Sequence, residues 1–274
     1  MESKRLYITS DELAKLTSRK IGEGFDAVVY SAVNGNAFKI YKDDIVQIDD
    51  DINTKHYNKG DYHYFPVRSY RSKYIDKDDI VIYYKDAADK IIDRQKVISK
   101  TKLPVASLYV DNRFVGYVIK KINGLQLHYA WFLLGRKVKI KILKELLSKV
   151  KELTDNYVYP TDMANSPFVG KHSNVLVNFK LKPEIIDLEG TSTSYREKED
   201  ISLLENTLFS LNLLYLELLL GPDYFEDLDE IDNKLIERLL VNSNVDKESA
   251  HRLSELKGTY DDLNELVLTV SKKR

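Results

Sequence analysis

The sequence predicts an α+β protein of two lobes: a small antiparallel sheet carrying one helix, then a mostly helical half. Three observations lead there. Residues 20–42 and 106–120 are rich in Val, Ile, Tyr and Phe between Gly and Asn turn signals. Residues 136–153 carry apolar side chains at helical spacing. Composition shifts from strand-forming to helix-forming residues near Asn123, which puts a lobe boundary between residues 122 and 123 and a cleft beside it.

Each element has a local reason. A short helix is expected over Ser10–Leu16. Lys20–Lys42 reads as three antiparallel strands, punctuated by Gly22, Gly24 and the turn signal Asn34-Gly35-Asn36. Residues 43–84 are polar and Tyr-rich with no clear period, and are expected to form an insertion. From Lys85 to Lys100, Ala88, Ile91, Ile92 and Ile98 recur at helical spacing until Pro104 stops the pattern. Two strands follow, ASLYV and RFVGYVIK, joined by a turn at Asp111 and Asn112. Beyond Gly124, Val138, Ile142, Leu143, Leu146, Leu147 and Val150 make one apolar stripe on a helix.

The bulk numbers exclude several classes of function. The 274 residues are 43% hydrophobic and 31% charged, the balance of a globular protein, and 42 basic side chains nearly cancel 43 acidic ones. Neither nucleic acid nor a membrane is therefore expected as partner. The absence of cysteine rules out disulfides, thiolate nucleophiles and thiolate metal sites, and suits a cytoplasmic protein. The N-terminal MESKRLYITSDELAKL lacks the apolar core of a signal peptide. ISLLENTLFSLNLLYLELLL is long enough to span a bilayer, but Glu205 and Glu217 would each cost about 2.5–3.5 kcal/mol at its centre. A helix buried in a soluble domain is expected instead.

Candidate chemistry gathers in a few places. Gly22 and Gly24 occupy a strand-turn-strand where missing side chains would let backbone N–H groups approach phosphates, and Ala37 and Lys39 project toward one face of the third strand. In HSNVLVNFKLKPEIIDLEG, Asn174 and Asp187 offer hard oxygen donors from the ends of two short strands. In this order the motifs resemble the protein-kinase-like superfamily: a glycine-bearing hairpin, an Ala-x-Lys strand, a helix, two strands, a Gly hinge, an Asn strand and an IIDxxG strand. The resemblance covers residues 20–221 and implies a bilobal protein-kinase-like fold that binds ATP and Mg²⁺. It implies Gly22 and Gly24 over the phosphates, Lys39 holding them, and Ile119, Lys121 and Ile122 along the adenine pocket. Asn174 and Asp187 would be the metal ligands.

The chain departs from that pattern in three places. The family's catalytic base stands about five residues before the metal Asn, where this chain has Val169; Asp162 takes the role if seven extra residues loop out. No Glu occurs between Glu23 and Glu145 to pair with Lys39, so Asp89 or Asp93 would have to reach farther, and Gln95 could only hydrogen-bond. Residues 190–201 lack an Ala-Pro-Glu motif, and their cluster Thr191–Tyr195 is a candidate phosphate acceptor or a solvated linker. The expected activity is phosphotransfer to a protein or small-molecule hydroxyl. The alternative is a pseudokinase that binds nucleotide or proteins as a scaffold, with the Tyr-rich insertion as partner surface.

Overall fold

The computed structural model describes residues 4–17, 19–23, 27–41, 85–164, 174–188, 193–195, 199–225 and 231–272. The expected insertion at 43–84 and Gly24 lie outside them. The fold is α+β and divides into two compact units, one of residues 1–121 and 188–195, the other of residues 122–187 and 196–274.

The first unit opens with a strand, β1 (Arg5–Ile8), and helix α1 (Ser10–Leu16). Thr9 starts α1 with a reciprocal cap: its hydroxyl accepts from the Glu12 N–H at 3.2 Å, and its own N–H donates to the Glu12 carboxylate at 2.8 Å. Strands β2 (Arg19–Glu23), β3 (Ala27–Ser31) and β4 (Asn36–Tyr41) follow in antiparallel succession, the last turn made by Asn34 and Gly35 at φ 60° and 72°. Helix α2 spans Lys85–Asp93 and tightens into a 3₁₀ turn, Arg94–Lys96, ending short of the expected Lys100. Strands β5 (Ala106–Val110) and β6 (Arg113–Lys120) close on Asp111 and Asn112, at φ 50° and 66°. Two left-handed central residues match the strand twist, which is why Asp-Asn suits this hairpin.

The sheet runs β1-β5-β6-β4-β3-β2. It has six strands and is mixed, because β1 pairs parallel to β5; this corrects the expectation of a purely antiparallel sheet. Its two faces bury different clusters. Leu108, Phe38 and Val118 pack with Leu13 and Leu16 of α1, while Tyr109, Phe114 and Tyr117 pack with Ile92 of α2. Gly116 lies against β4 so closely that a Cβ there would stand 2.0 Å from the Lys39 carbonyl oxygen. Thr193–Tyr195, from the hydroxyl cluster, form a short strand.

In the second unit, β7 (Gly124–Gln126), α3 (Leu127–Leu133) and α4 (Arg136–Asp155) come first. Strand β8 (Val158–Pro160) precedes the hairpin β9 (Val175–Asn178) and β10 (Pro183–Ile185), and the three-stranded sheet runs β10-β9-β7. Gly124 permits β7 to meet β9: a Cβ would lie 2.3 Å from the Val177 carbonyl oxygen. Helices α5 (Ile201–Leu220), α6 (Asn233–Asn242), α7 (Lys247–Ser254) and α8 (Tyr260–Lys272) complete the unit. α5 is long and apolar enough to cross a membrane, yet 61% of its most apolar window is buried inside the protein. Its Asn212 amide donates to the carbonyls of Leu208 at 2.7 Å and Gly258 at 2.8 Å, which offsets part of the cost of burying it.

Near the C-terminus, Asp262 accepts from Arg252 at 2.7 and 2.9 Å and from the N–H and hydroxyl of Thr259 at 2.8 and 2.9 Å. Burial alone would raise the Asp262 carboxyl, but the Arg252 guanidinium and the Thr259 and Ser249 hydrogen bonds outweigh it and hold the group well below the ordinary carboxylate range. A depressed folded-state value stabilises the fold above the unfolded carboxylate pKa, and that contribution fades as acid titrates the folded group. Arg252→Met is therefore expected to lower unfolding free energy at neutral pH, with the gap to the native chain closing below about pH 4, as denaturation at stepped pH would read. Gly116→Ala should lower stability by about 3 kcal/mol in urea titration, since backbone has to move to admit the methyl.

Candidate functional site

The second unit joins Asp162 to Asn174 by hydrogen bonds and puts Asp187 at the same end of the hairpin as Asn174. Asn174 stands directly before β9 and Asp187 two residues after β10, so the hairpin register that pairs Ile185 with Val175 puts both at its open end. The Ile186 N–H donates to the Asn174 carbonyl at 2.9 Å, closing that end beside Asp187. The Asn174 side-chain amide donates to the Asp162 carbonyl at 2.9 Å and to its carboxylate at 3.2 Å. Because both partners are acceptors, the amide nitrogen must face Asp162, and Oδ1 takes the opposite arm. Asp187 has φ 64°, a left-handed conformation that Asp tolerates better than most residues.

Asp162 is held from the other side by α5. After β8 the chain turns, and the Ser210 hydroxyl of α5 accepts the N–H groups of Met163 at 2.8 Å and Ala164 at 3.3 Å. Met163 is fully buried there. A buried polar anchor of this kind stops the Asp162 backbone from drifting, because releasing the hydroxyl would leave two amides unsatisfied.

The hairpin itself is fastened by a buried ion pair. The Lys149 ammonium on α4 donates to the Glu184 carboxylate at 3.0 Å and to the Pro183 carbonyl at 2.6 Å, with both side chains about nineteen-twentieths buried. Asn178 donates to the second Glu184 oxygen at 2.9 Å, and its own Oδ1 accepts the N–H groups of Lys180 and Lys182 to close the turn. Neither Lys149 nor Ser210 was marked by sequence reasoning. The one signal was Lys149 falling within the apolar stripe of α4, beside Leu146, Val150 and Leu153.

The remaining candidates belong to the first unit, apart from Ile122. Lys39 lies on β4 opposite Val29 and Tyr117, on the sheet face that α2 covers, with its ammonium 6.0 Å from the Tyr41 ring centre. Gly22 sits at a register irregularity of β2, and a Cβ there would touch only Val29, at 3.8 Å. Ile119 packs on the aromatic cluster of that same face. The Lys121 N–H donates to the Gly35 carbonyl at 3.0 Å, and its ammonium to Ser31 at 3.1 Å. Of the acids considered as partners for Lys39, Asp89 accepts from the Ser107 hydroxyl and lies 3.6 Å from the Arg5 guanidinium. Gln95 donates to the Pro104 carbonyl, and Asp93 is exposed. Val169, Lys171 and His172 fall outside the described residues.

The donors at the open end of the hairpin are an amide and carboxylates, the oxygen set that suits a hard divalent cation. Among the described residues no group of three or more His, Asp and Glu side chains could hold a metal by itself.

If Lys149 anchors the hairpin, Lys149→Met should destabilise the protein by about 3–5 kcal/mol, since Glu184 is left buried without its cation. The double variant Lys149→Met/Glu184→Leu should recover most of that loss in a denaturant titration. Equal losses in the single and double variants would contradict the pairing.

No protein-family model matches this chain, and no curated protein matches it either.

Proposed function

We propose that the chain is an ATP- and Mg²⁺-dependent phosphotransferase of atypical protein-kinase-like type, acting on a protein or small-molecule hydroxyl. The observation that carries this reading is the Asn174 amide bonded to both the carbonyl and the carboxylate of Asp162. The seven extra residues between them leave Asp162 adjacent to Asn174, as a base beside a metal ligand requires. The element order also supports it: a glycine-bearing hairpin, Lys39 on the next strand, one helix and two strands precede the Asn174–Asp187 hairpin.

In this reading the Asp187 carboxylate and the Asn174 side-chain oxygen Oδ1 hold Mg²⁺, which when bound screens the charge of the phosphates. Asp162 orients the acceptor hydroxyl and takes its proton, and Lys39 neutralises the nucleotide phosphates. Gly22 leaves room for phosphate above β2, and Ile119, Lys121 and Ile122 line the base. These groups work by placement and charge, which suits a transfer whose transition state demands little covalent help from the protein. A cytoplasmic site of action, where ATP is abundant, goes with the same reading.

A nucleotide-binding scaffold without turnover is the second reading, and a specific observation favours it: Asp89, a half-buried acid of α2, is engaged by Arg5 and Ser107. Mg·ATP should raise the melting temperature in either case. Transfer of label from γ-labelled ATP, to the chain itself or a generic acceptor, separates them. Under the first reading Asp187→Ala and Asp162→Asn should each cost at least about a hundredfold in rate, with Asp187→Ala also erasing the Mg-dependent part of the thermal shift. Label transfer unchanged by both substitutions would refute the site; a thermal shift without transfer would establish the scaffold.

A further inference from the structure

Helix α3, LHYAWFL, is apolar on both sides. Leu127, Ala130 and Trp131 face inward and are buried, while Tyr129, Phe132 and Leu133, at i, i+3 and i+4 on the opposite side, are 54%, 77% and 77% exposed. A surface helix ordinarily turns a polar face to water, and a cluster of large apolar side chains in its place marks a contact site. Side chains three-quarters exposed stand out from the surface and do not line a groove, so they suit a partner that yields around them.

Charge beside this tip is of one sign. α4 begins three residues after Leu133, and its Lys137, Lys141 and Lys144 are exposed at i, i+4 and i+7, one row along the helix. Lys139, on the opposite side of α4 from that row, packs its ammonium 5.0 Å from the ring of the inward-facing Trp131. No Asp or Glu occurs between Asp111 and Glu145, so the near-neutral total for the whole chain hides a local stretch without a single acid. Aromatic and aliphatic tips flanked by lysines are the pattern of an interfacial membrane contact: the apolar groups enter the acyl boundary while flexible ammonium groups reach headgroup phosphates.

We propose that the outer face of α3 and the lysine row of α4 form a docking surface for an anionic lipid bilayer. It does not depend on the phosphotransfer reading, since none of its residues belongs to that site.

Flotation of the full chain with phosphatidylcholine vesicles, with and without phosphatidylserine, tests it. Binding should require phosphatidylserine and weaken as salt rises. Phe132→Trp in a Trp131→Phe background, which moves the single tryptophan to the outer face, should be quenched by lipids brominated on their acyl chains. Phe132→Ser/Leu133→Ser should weaken binding at least tenfold, to about the level left by charge alone. Lys137→Glu/Lys141→Glu/Lys144→Glu should weaken it on the order of a hundredfold, at roughly fivefold per lysine. Phe179→Ser, at an exposed apolar residue on the β9–β10 turn, should bind as the native chain does. Should a multiple variant melt early, quenching of the tryptophan at position 132 in the otherwise unaltered outer face decides. No flotation, binding indifferent to both variants, or tighter binding to soluble polyglutamate or an oligonucleotide than to vesicles would overturn the proposal, the last by assigning the surface to an acidic peptide or nucleic acid.

Discussion

An ammonium and a carboxylate shut away from water, Lys149 and Glu184, meet at 3.0 Å where β10 lies against α4. Each charge would cost several kcal/mol to bury alone, so neither can move without the other. The consequence is positional. A one-residue slip of β10 would carry Glu184 to the other face of the strand and strand Lys149 in the core, so the hairpin has one register. Asn178 extends the constraint to the turn, and the open end with Asn174 and Asp187 inherits its place from it.

At that open end a second constraint takes over. Asn174 is shared between two tasks: its backbone carbonyl receives Ile186, and its side-chain amide holds Asp162. The Ser210 hydroxyl fixes the same turn from α5. Three polar side chains separated widely in sequence thus lie on one rigid support, which is what a site acting by placement needs. Arg5, Ser107, Tyr117 and Lys39 stand in one cross-strand row, and Asp89 of α2 is bound at the Arg5 end of it, over β1 and β5. The parallel strand β1 thus supplies the cation, Arg5, that meets the half-buried Asp89 of α2.

The charge distribution teaches a related lesson. A net charge near zero argues against polyanionic partners only if the charges are well mixed, and here a long acid-free stretch precedes Glu145. Placed beside an exposed Phe-Leu pair, that stretch becomes a surface with both of the forces that hold proteins at anionic interfaces.

Much of the fold was readable from residue order, because its elements are set by short-range effects. The 3.6-residue stripe of α4, the Asp111-Asn112 turn and the thirteen-residue spacing from Asn174 to Asp187 all act within one element or one hairpin, where loop closure is cheap. Folding in three dimensions settled what no local window contains. β1 is four residues long and gains its identity only by pairing with β5, and α3, apolar on every side, has no helical period to detect. Asp89 meets Arg5 from a distant strand, and Glu184 finds Lys149 from another element, since buried charge such as Glu184 must seek its opposite wherever the chain delivers it.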